Sequence, residues 1–380
     1  MSDADSPEPP TTPDDAETGT LPDPTDFLIE QCSDHQIVLL GDQRNVAQHL
    51  EFITSALPRL HSAGITNLGW EFTNSRSQDL LDSLIGGDTW DDQACADLFV
   101  DLLGIGFGYQ QYADVLQAAW EINQALTGDQ QPFRVVALGM PSYVEDPELL
   151  EGRSAGELDL RNWWLGGHYR DVTAFHMANV LTSSVIRHGQ RALVYADAAR
   201  TTTRLVEWID GQAAISLGNL LHNWMGVGVR RIVFHGAVGD TETLERVEAL
   251  IEAAPENDAT FGLDLRLSTL GNVGVTTVEG HTGQPEPYRL SEIADGYIFV
   301  TPRAGWRPTP LIESFVSARN FEEAERRYRA LDPRDEPYSL AQLEAVRQDG
   351  FDNIETVWPQ LSTPDTTEED TAKRRWFRRS

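Results

Sequence analysis

The sequence predicts an α/β fold: a mostly parallel central sheet flanked by helices on both faces, with a disordered tail at each end. Three observations predict it. Short β-branched runs alternate with longer helical patterns along the 380 residues, and several of those runs are apolar nearly throughout, as a sheet covered on both faces requires. The segments between the runs are long enough for crossover helices, which places ligands at the carboxyl ends of the strands. No fixed repeat is present, so a solenoid is not expected.

The elements follow in order. Residues 1–24, rich in Pro, Asp, Thr and Ser, bury too little apolar surface to offset their ordering entropy and form a disordered leader. The strands expected are QIVLL (36–40), TNLGWEF (66–72), FRVVALG (133–139), RALVYA (191–196), RRIVFHG (230–236), TFGLDL (260–265) and GYIFV (296–300). Helical patterns cover 45–63, 76–85, 91–103, 110–127, 168–188, 216–225, 241–253, 311–318, 320–331 and 338–348. One domain over 25–335 is expected, then a C-terminal helix and extension over 336–361. A disordered tail over 362–380 ends in Lys373, Arg374, Arg375, Arg378 and Arg379 around Trp376 and Phe377. Such a basic and aromatic end could touch an anionic surface, or fold back on an acidic body.

Charge narrows the function classes. Acidic residues number 60 against 29 basic ones, for a formal charge of −31, and Lys373 is the only lysine. Abundant carboxylates with arginine kept and lysine nearly absent suit a protein in a high-salt cytoplasm, where screening removes self-repulsion. A GC-rich genome with ordinary acidity would look similar. In either case the body of the protein would repel nucleic acid. Cys32 and Cys95 form no disulfide framework and match no metal spacing. Neither an export signal nor a membrane-spanning run is legible, so a cytoplasmic location is expected.

The strand-end rule points to Asp42, Gln43 and Arg44 after the first strand and Glu71 at the end of the second. Asp197 and Arg200 follow the fourth, and His235 the fifth. Converging carboxylates raise one another's pKa while arginines lower it, so this set suits acid–base work, a hard cation, or a network of ion pairs tying loops together. No serine elbow and no P-loop occurs.

The stretch IVLLGDQRN, followed by HLEFITSALPRLHSAGITNLGWEF and SQDLLDSLI, resembles the opening of the superfamily that contains ChaN-type haem-uptake proteins, erythromycin esterases and Tiki/TraB proteases. YADVLQAAWEIN, RVVALGMP, YRDVTAFHMANVL, LVYADAART and SLGNLLHNWMGVGVRRIVFHG continue the likeness over roughly residues 36–240. The resemblance implies the α/β fold, a hydrolase or a haem protein, and haem or a divalent metal as cofactor. Two departures bear on all of this. Where the superfamily has its first glutamate and histidine, this chain has Asp42 and Arg44, and the second histidine is replaced by Arg200. A guanidinium stays protonated and has no lone pair, so it neither ligates a cation nor accepts a proton. His235 and His176 are the available imidazoles.

Three functions remain open from sequence. The chain hydrolyses a small ester or amide, with Asp42, Glu71 and Asp197 as catalytic carboxylates and Arg44, Arg200, Gln43 and His235 holding an anionic substrate. Alternatively it binds a small anion or haem without catalysis, or it is a pseudoenzyme scaffold.

Overall fold

A computed structural model describes residues 21–100, 108–141, 167–204, 206–207, 213–238, 241–253, 260–275, 277–278, 281–282, 288–331 and 336–349. The leader up to residue 20 and the basic tail lie outside the described residues.

All seven expected strands form, in one sheet: β1 (Ile37–Asp42), β2 (Asn67–Asn74), β3 (Arg134–Gly139), β4 (Ala192–Asp197), β5 (Val229–Phe234), β6 (Phe261–Asp264) and β7 (Gly296–Phe299). Their order is β3-β2-β4-β1-β5-β7-β6, with every neighbouring pair parallel except β7 with β6. Every residue of β1 and β5 is buried, and the apolar runs 37–40 and 232–234 mark the two strands in the sequence, with Arg230 and Arg231 buried beside the second. β1 lies at the centre, between β4 and β5, where the chain's path across the sheet reverses direction. Its carboxyl end is therefore the switch point at which such sheets place their ligands.

Helices cover both faces. On one side α1 (Pro24–Asp34), α2 (Ala47–Ser62), α3 (Gln78–Gly86), α4 (Asp92–Val100) and α5 (Gln110–Gln124) enclose the larger core around Leu50, Ile53, Leu57, Trp70, Leu116 and Tyr195. The three- and four-residue spacing of Leu50, Ile53, Leu57 and Leu60 gives α2 one apolar stripe facing the sheet. On the other side α6 (Gly167–Ser184) and α8 (Leu217–Met225) pack Ala174, Met177, Leu181 and Leu221 against Leu39, Val136 and Val194. Between them α7 (Ala198–Thr201) is a single turn directly after β4. Farther on come α9 (Thr241–Glu252), α10 (Leu290–Ile293) and α11 (Phe321–Leu331), then a helical run at 340–349 that contributes Leu343 to the larger core. Among the described residues no helix is long and apolar enough to cross a membrane.

Two sequence expectations differ from the structure. Helix α1 was not anticipated; it starts on a local cap, with the Asp23 carboxylate accepting the Thr25 and Asp26 N–H groups and Pro24 in the first turn. Conversely, 311–318 is not helical. Leu311 bridges to Tyr109, and the amides of Ile312 and Gln110 donate to Gly108 and Pro310, so this backbone satisfies itself against the start of α5.

Candidate functional site

Glycine at the end of β1 is the first requirement. A Cβ on Gly41 would lie 2.6 Å from Thr201 Oγ1 and 3.2 Å from Ala198 Cα, so its absence lets α7 sit directly on β1. From β5, the fully buried Arg231 donates to Ala198 O (3.0 Å), Thr201 Oγ1 (3.3 Å) and Ile293 O (2.7 Å), tying α7 to the sheet. Arg44, in the turn after β1, and Arg200, on α7, are thereby fixed side by side. In the strand register Asp42 pairs with Asp197.

Four of the seven residues singled out from sequence form one cluster. Glu71 lies where the register of β2 against β3 shifts. Its Oε2 accepts the Asp197 N–H at 2.8 Å, and its Oε1 lies 3.4 Å from Arg200 Nε and 3.7 Å from Arg44 Nη2. Asp197 uses Oδ1 to accept the Ala199 N–H (2.8 Å), capping α7, and Oδ2 to meet Arg44 Nε at 2.5 Å. Two guanidinium groups thus balance two carboxylates. Burial works to lower the Arg44 pKa, but the charges of Asp197 and Glu71 outweigh it and hold that pKa above its ordinary value. Arg44 is also the most open member, its side chain 38% exposed against 11% for Glu71, 22% for Asp197 and 15% for Arg200. Gln43, half-buried beside Arg44, accepts the Val46 N–H through its carbonyl.

Asp42 and His235 sit elsewhere. Asp42 is sealed beneath the turn, where its Oδ1 lies 2.7 Å from Nδ1 of His49, and both side chains have no exposed surface. Burial raises the Asp42 pKa, while hydrogen bonds from His49 and the Tyr195 hydroxyl pull it down without reversing the shift. The His49 ring stacks on Phe234, with centroids 4.3 Å apart. His235, also buried, bonds the Tyr297 hydroxyl through Nδ1 (2.6 Å) and Glu248 through Nε2 (3.1 Å). Burial lowers its pKa against the pull of Glu248.

A strap formed by residues 303–309 closes over both histidines. The Trp306 ring stands edge-on to His49 (6.2 Å) and His235 (5.8 Å). It fits because residue 236 is glycine: Gly236 has φ 89°, and a Cβ there would meet Trp306 at 2.2 Å. The strap also takes up the start of α2. Arg307 O accepts the Ala47 N–H (2.8 Å), Val46 bridges to Pro308, and the left-handed Asn45 (φ 64°) donates its N–H to the Tyr112 hydroxyl and accepts from the Thr309 amide. The N-terminus of α2, just beyond Arg44, is thus covered by the strap.

His49 was missed from sequence. Its signal was an imidazole at an inward position of the first turns of α2, next to Leu50 and seven residues beyond Asp42. His176, on α6, lies at the end of β2, where its Nε2 is 2.9 Å from the Ser75 hydroxyl. Among the described residues, no group of three or more His, Cys, Asp or Glu side chains is arranged to hold a metal ion.

No protein-family model matches the chain, and no curated protein does. Solved structures do match. A mutant of erythromycin esterase EreC in its open conformation is similar with a TM-score of 0.50 and 13% identity, over 76% of this chain and 95% of that one. A succinoglycan biosynthesis protein matches with a TM-score of 0.49 and 12% identity, over 75% and 91%. ChaN of Campylobacter jejuni, a structure with cofacial haem, matches with a TM-score of 0.32 and 12% identity, over 55% and 85%. The chain has the fold of the esterase, as the sequence resemblance implied.

Proposed function

We propose that the cluster at the carboxyl edge of β1, β2 and β4 binds a small anionic molecule through Arg44, with Arg200 in support, and does so without itself acting as a base. The observation that carries this reading is the pairing of carboxylates in the cluster: Glu71 and Asp197 already accept from Arg200, Arg44 and backbone amides, so a water to be activated must compete for the same oxygens. Asp42 is committed to His49 and has no exposed surface from which to reach a substrate. Arg44 presents a planar set of N–H donors at the edge, part of it open to solvent, which suits a carboxylate or phosphate. An incoming anion joins Arg44 while Asp197 stays paired with its Nε, so that no bare charge is left behind.

Calorimetric titration with malonate, phosphate and pyrophosphate tests this. The wild type is expected to bind at least one of them, and Arg44→Ala to weaken that binding about 10- to 100-fold, the loss of one charge-assisted pair. Absence of binding to all three, or equal affinity in Arg44→Ala, overturns the reading. A hydrolysis assay on a small p-nitrophenyl ester adds a second arm: any turnover is expected to survive Glu71→Gln, whereas its loss there would restore Glu71 as the base.

A further inference from the structure

The end of β2 carries a pair of groups that the cluster does not use. Directly after the strand, Ser75–Ser77 forms one 3-10 turn, held by the fully buried Asn74, whose side chain accepts the Arg76 N–H at 3.0 Å. The turn presents Ser75 to α6, and the hydroxyl lies 2.9 Å from His176 Nε2. Both residues are half-buried, unlike the fully buried His49 and His235. We propose that Ser75 is an acyl-accepting nucleophile and that His176 is the base that activates it.

The chemistry needs three things, and two of them are geometric. The hydroxyl must donate to a ring nitrogen that has a lone pair, which Nε2 supplies when the ring proton is on Nδ1. The hydrogen bond must be within transfer distance, and at 2.9 Å it is. The ring must also be neutral, and burial holds His176 below its ordinary 6.5. On an ester, Ser75 Oγ bonds to the acyl carbon as its proton passes to His176 Nε2. The bond from that carbon to the alkoxide oxygen breaks, and the alkoxide leaves with the proton from Nε2. A water then adds to the acyl carbon and gives a proton to Nε2; the bond from that carbon to Ser75 Oγ breaks, the acid is released, and the proton passes from Nε2 back to Oγ.

The substrate class follows from the neighbourhood, and this part rests on the anion reading above. Ser75 stands four residues beyond Glu71, a separation of at most about 14 Å along the chain, so a substrate of metabolite size can touch Arg200 or Arg44 while its acyl carbon meets Ser75. That describes a small ester with a carboxylate or phosphate arm.

A neutral phosphorylating probe separates the two proposals because it needs no anion site. Diisopropyl fluorophosphate transfers its phosphoryl group to an activated serine oxygen with release of fluoride, and mass spectrometry of the digested protein locates the adduct. A single adduct on Ser75 is expected in the wild type, absent in Ser75→Ala and formed at least ten-fold more slowly in His176→Gln, which can keep a hydrogen bond but cannot take the proton. An adduct on Ser75 in a protein that binds none of malonate, phosphate and pyrophosphate overturns the anion reading and leaves the nucleophile standing. Unchanged melting temperatures in Ser75→Ala and His176→Gln exclude misfolding as the cause, and the exposed Ser183 serves as a control site. No adduct on Ser75, or one formed equally fast in His176→Gln, overturns the proposal.

Discussion

His235 shows how burial changes what a histidine does. It stands at the end of β5, where the strand-end rule made it a candidate ligand residue, yet both ring nitrogens are occupied, by Tyr297 and Glu248, and its side chain has no exposed surface. Because burial lowers its pKa from the ordinary 6.5, the unfolded chain binds this proton before the folded one does. Stability from this group is therefore complete above 6.5 and declines as pH falls toward the lower folded value. Melting temperature measured from neutral pH down to about pH 5 is expected to fall in the wild type and to fall less steeply in His235→Gln, which lacks the titrating proton. Parallel curves would show that His235 does not couple folding to pH. His49, equally hidden, resisted sequence reading for a related reason. Its partner Asp42 is on another element, and its cover, Trp306, comes from far along the chain.

At the scale of elements, the strands were legible and the strap was not. β1 and β5 are buried along their whole length, and the apolar runs 37–40 and 232–234 announce them, although Arg230 and Arg231 stand near the start of β5. The convergence of Arg44, Glu71, Asp197 and Arg200 also follows from strand order, since β2, β4 and β1 are neighbours. The strap over 303–309 has no regular pattern: Gly305 and Pro308, with Thr301, Pro302 and Pro310 flanking it, read as loop, and its bonds go to Ala47, Gln48, Asn45 and Glu51 across the sequence. Its weight rests on Trp306. Removing the indole in Trp306→Ala is expected to destabilise the protein by about 2 kcal/mol, less than for a fully buried tryptophan because this ring is half-exposed. The same change is expected to open the histidines. Diethylpyrocarbonate should leave His49 unmodified in the wild type and carbethoxylate it in Trp306→Ala, as located by peptide mass. Equal protection in both proteins would mean that the strap is not what seals the dyad.

For the whole molecule the governing quantity is charge. A formal −31 spread over the surface repels itself, and the repulsion reaches farther than any single ion pair when salt is low. Arginine offsets part of it in specific places. Arg230 meets Asp264 and Asp295, Arg319 meets Asp91 and Asp97, and Arg326 and Arg327 share Glu323. Two of these guanidinium groups, those of Arg230 and Arg327, are nearly buried, where a planar fork with several donors can be satisfied and a lysine ammonium would be harder to pair. Salt acts on the two populations in opposite senses. It weakens the exposed pairs, each worth only about 0.2–1 kcal/mol, and relieves the repulsion of the uncompensated carboxylates. With 60 acidic residues against 29 basic ones, the second effect is expected to dominate. The melting temperature should therefore rise by about 10 °C as potassium chloride increases from about 0.1 M to about 2 M, with most of the gain below about 1 M, where the screening length shrinks to roughly 3 Å. Glucose at matched osmolality is the control, since it alters the solvent without screening. A melting temperature that is flat or falls with potassium chloride would show that the acidity is compositional and that the surface is not adapted to salt.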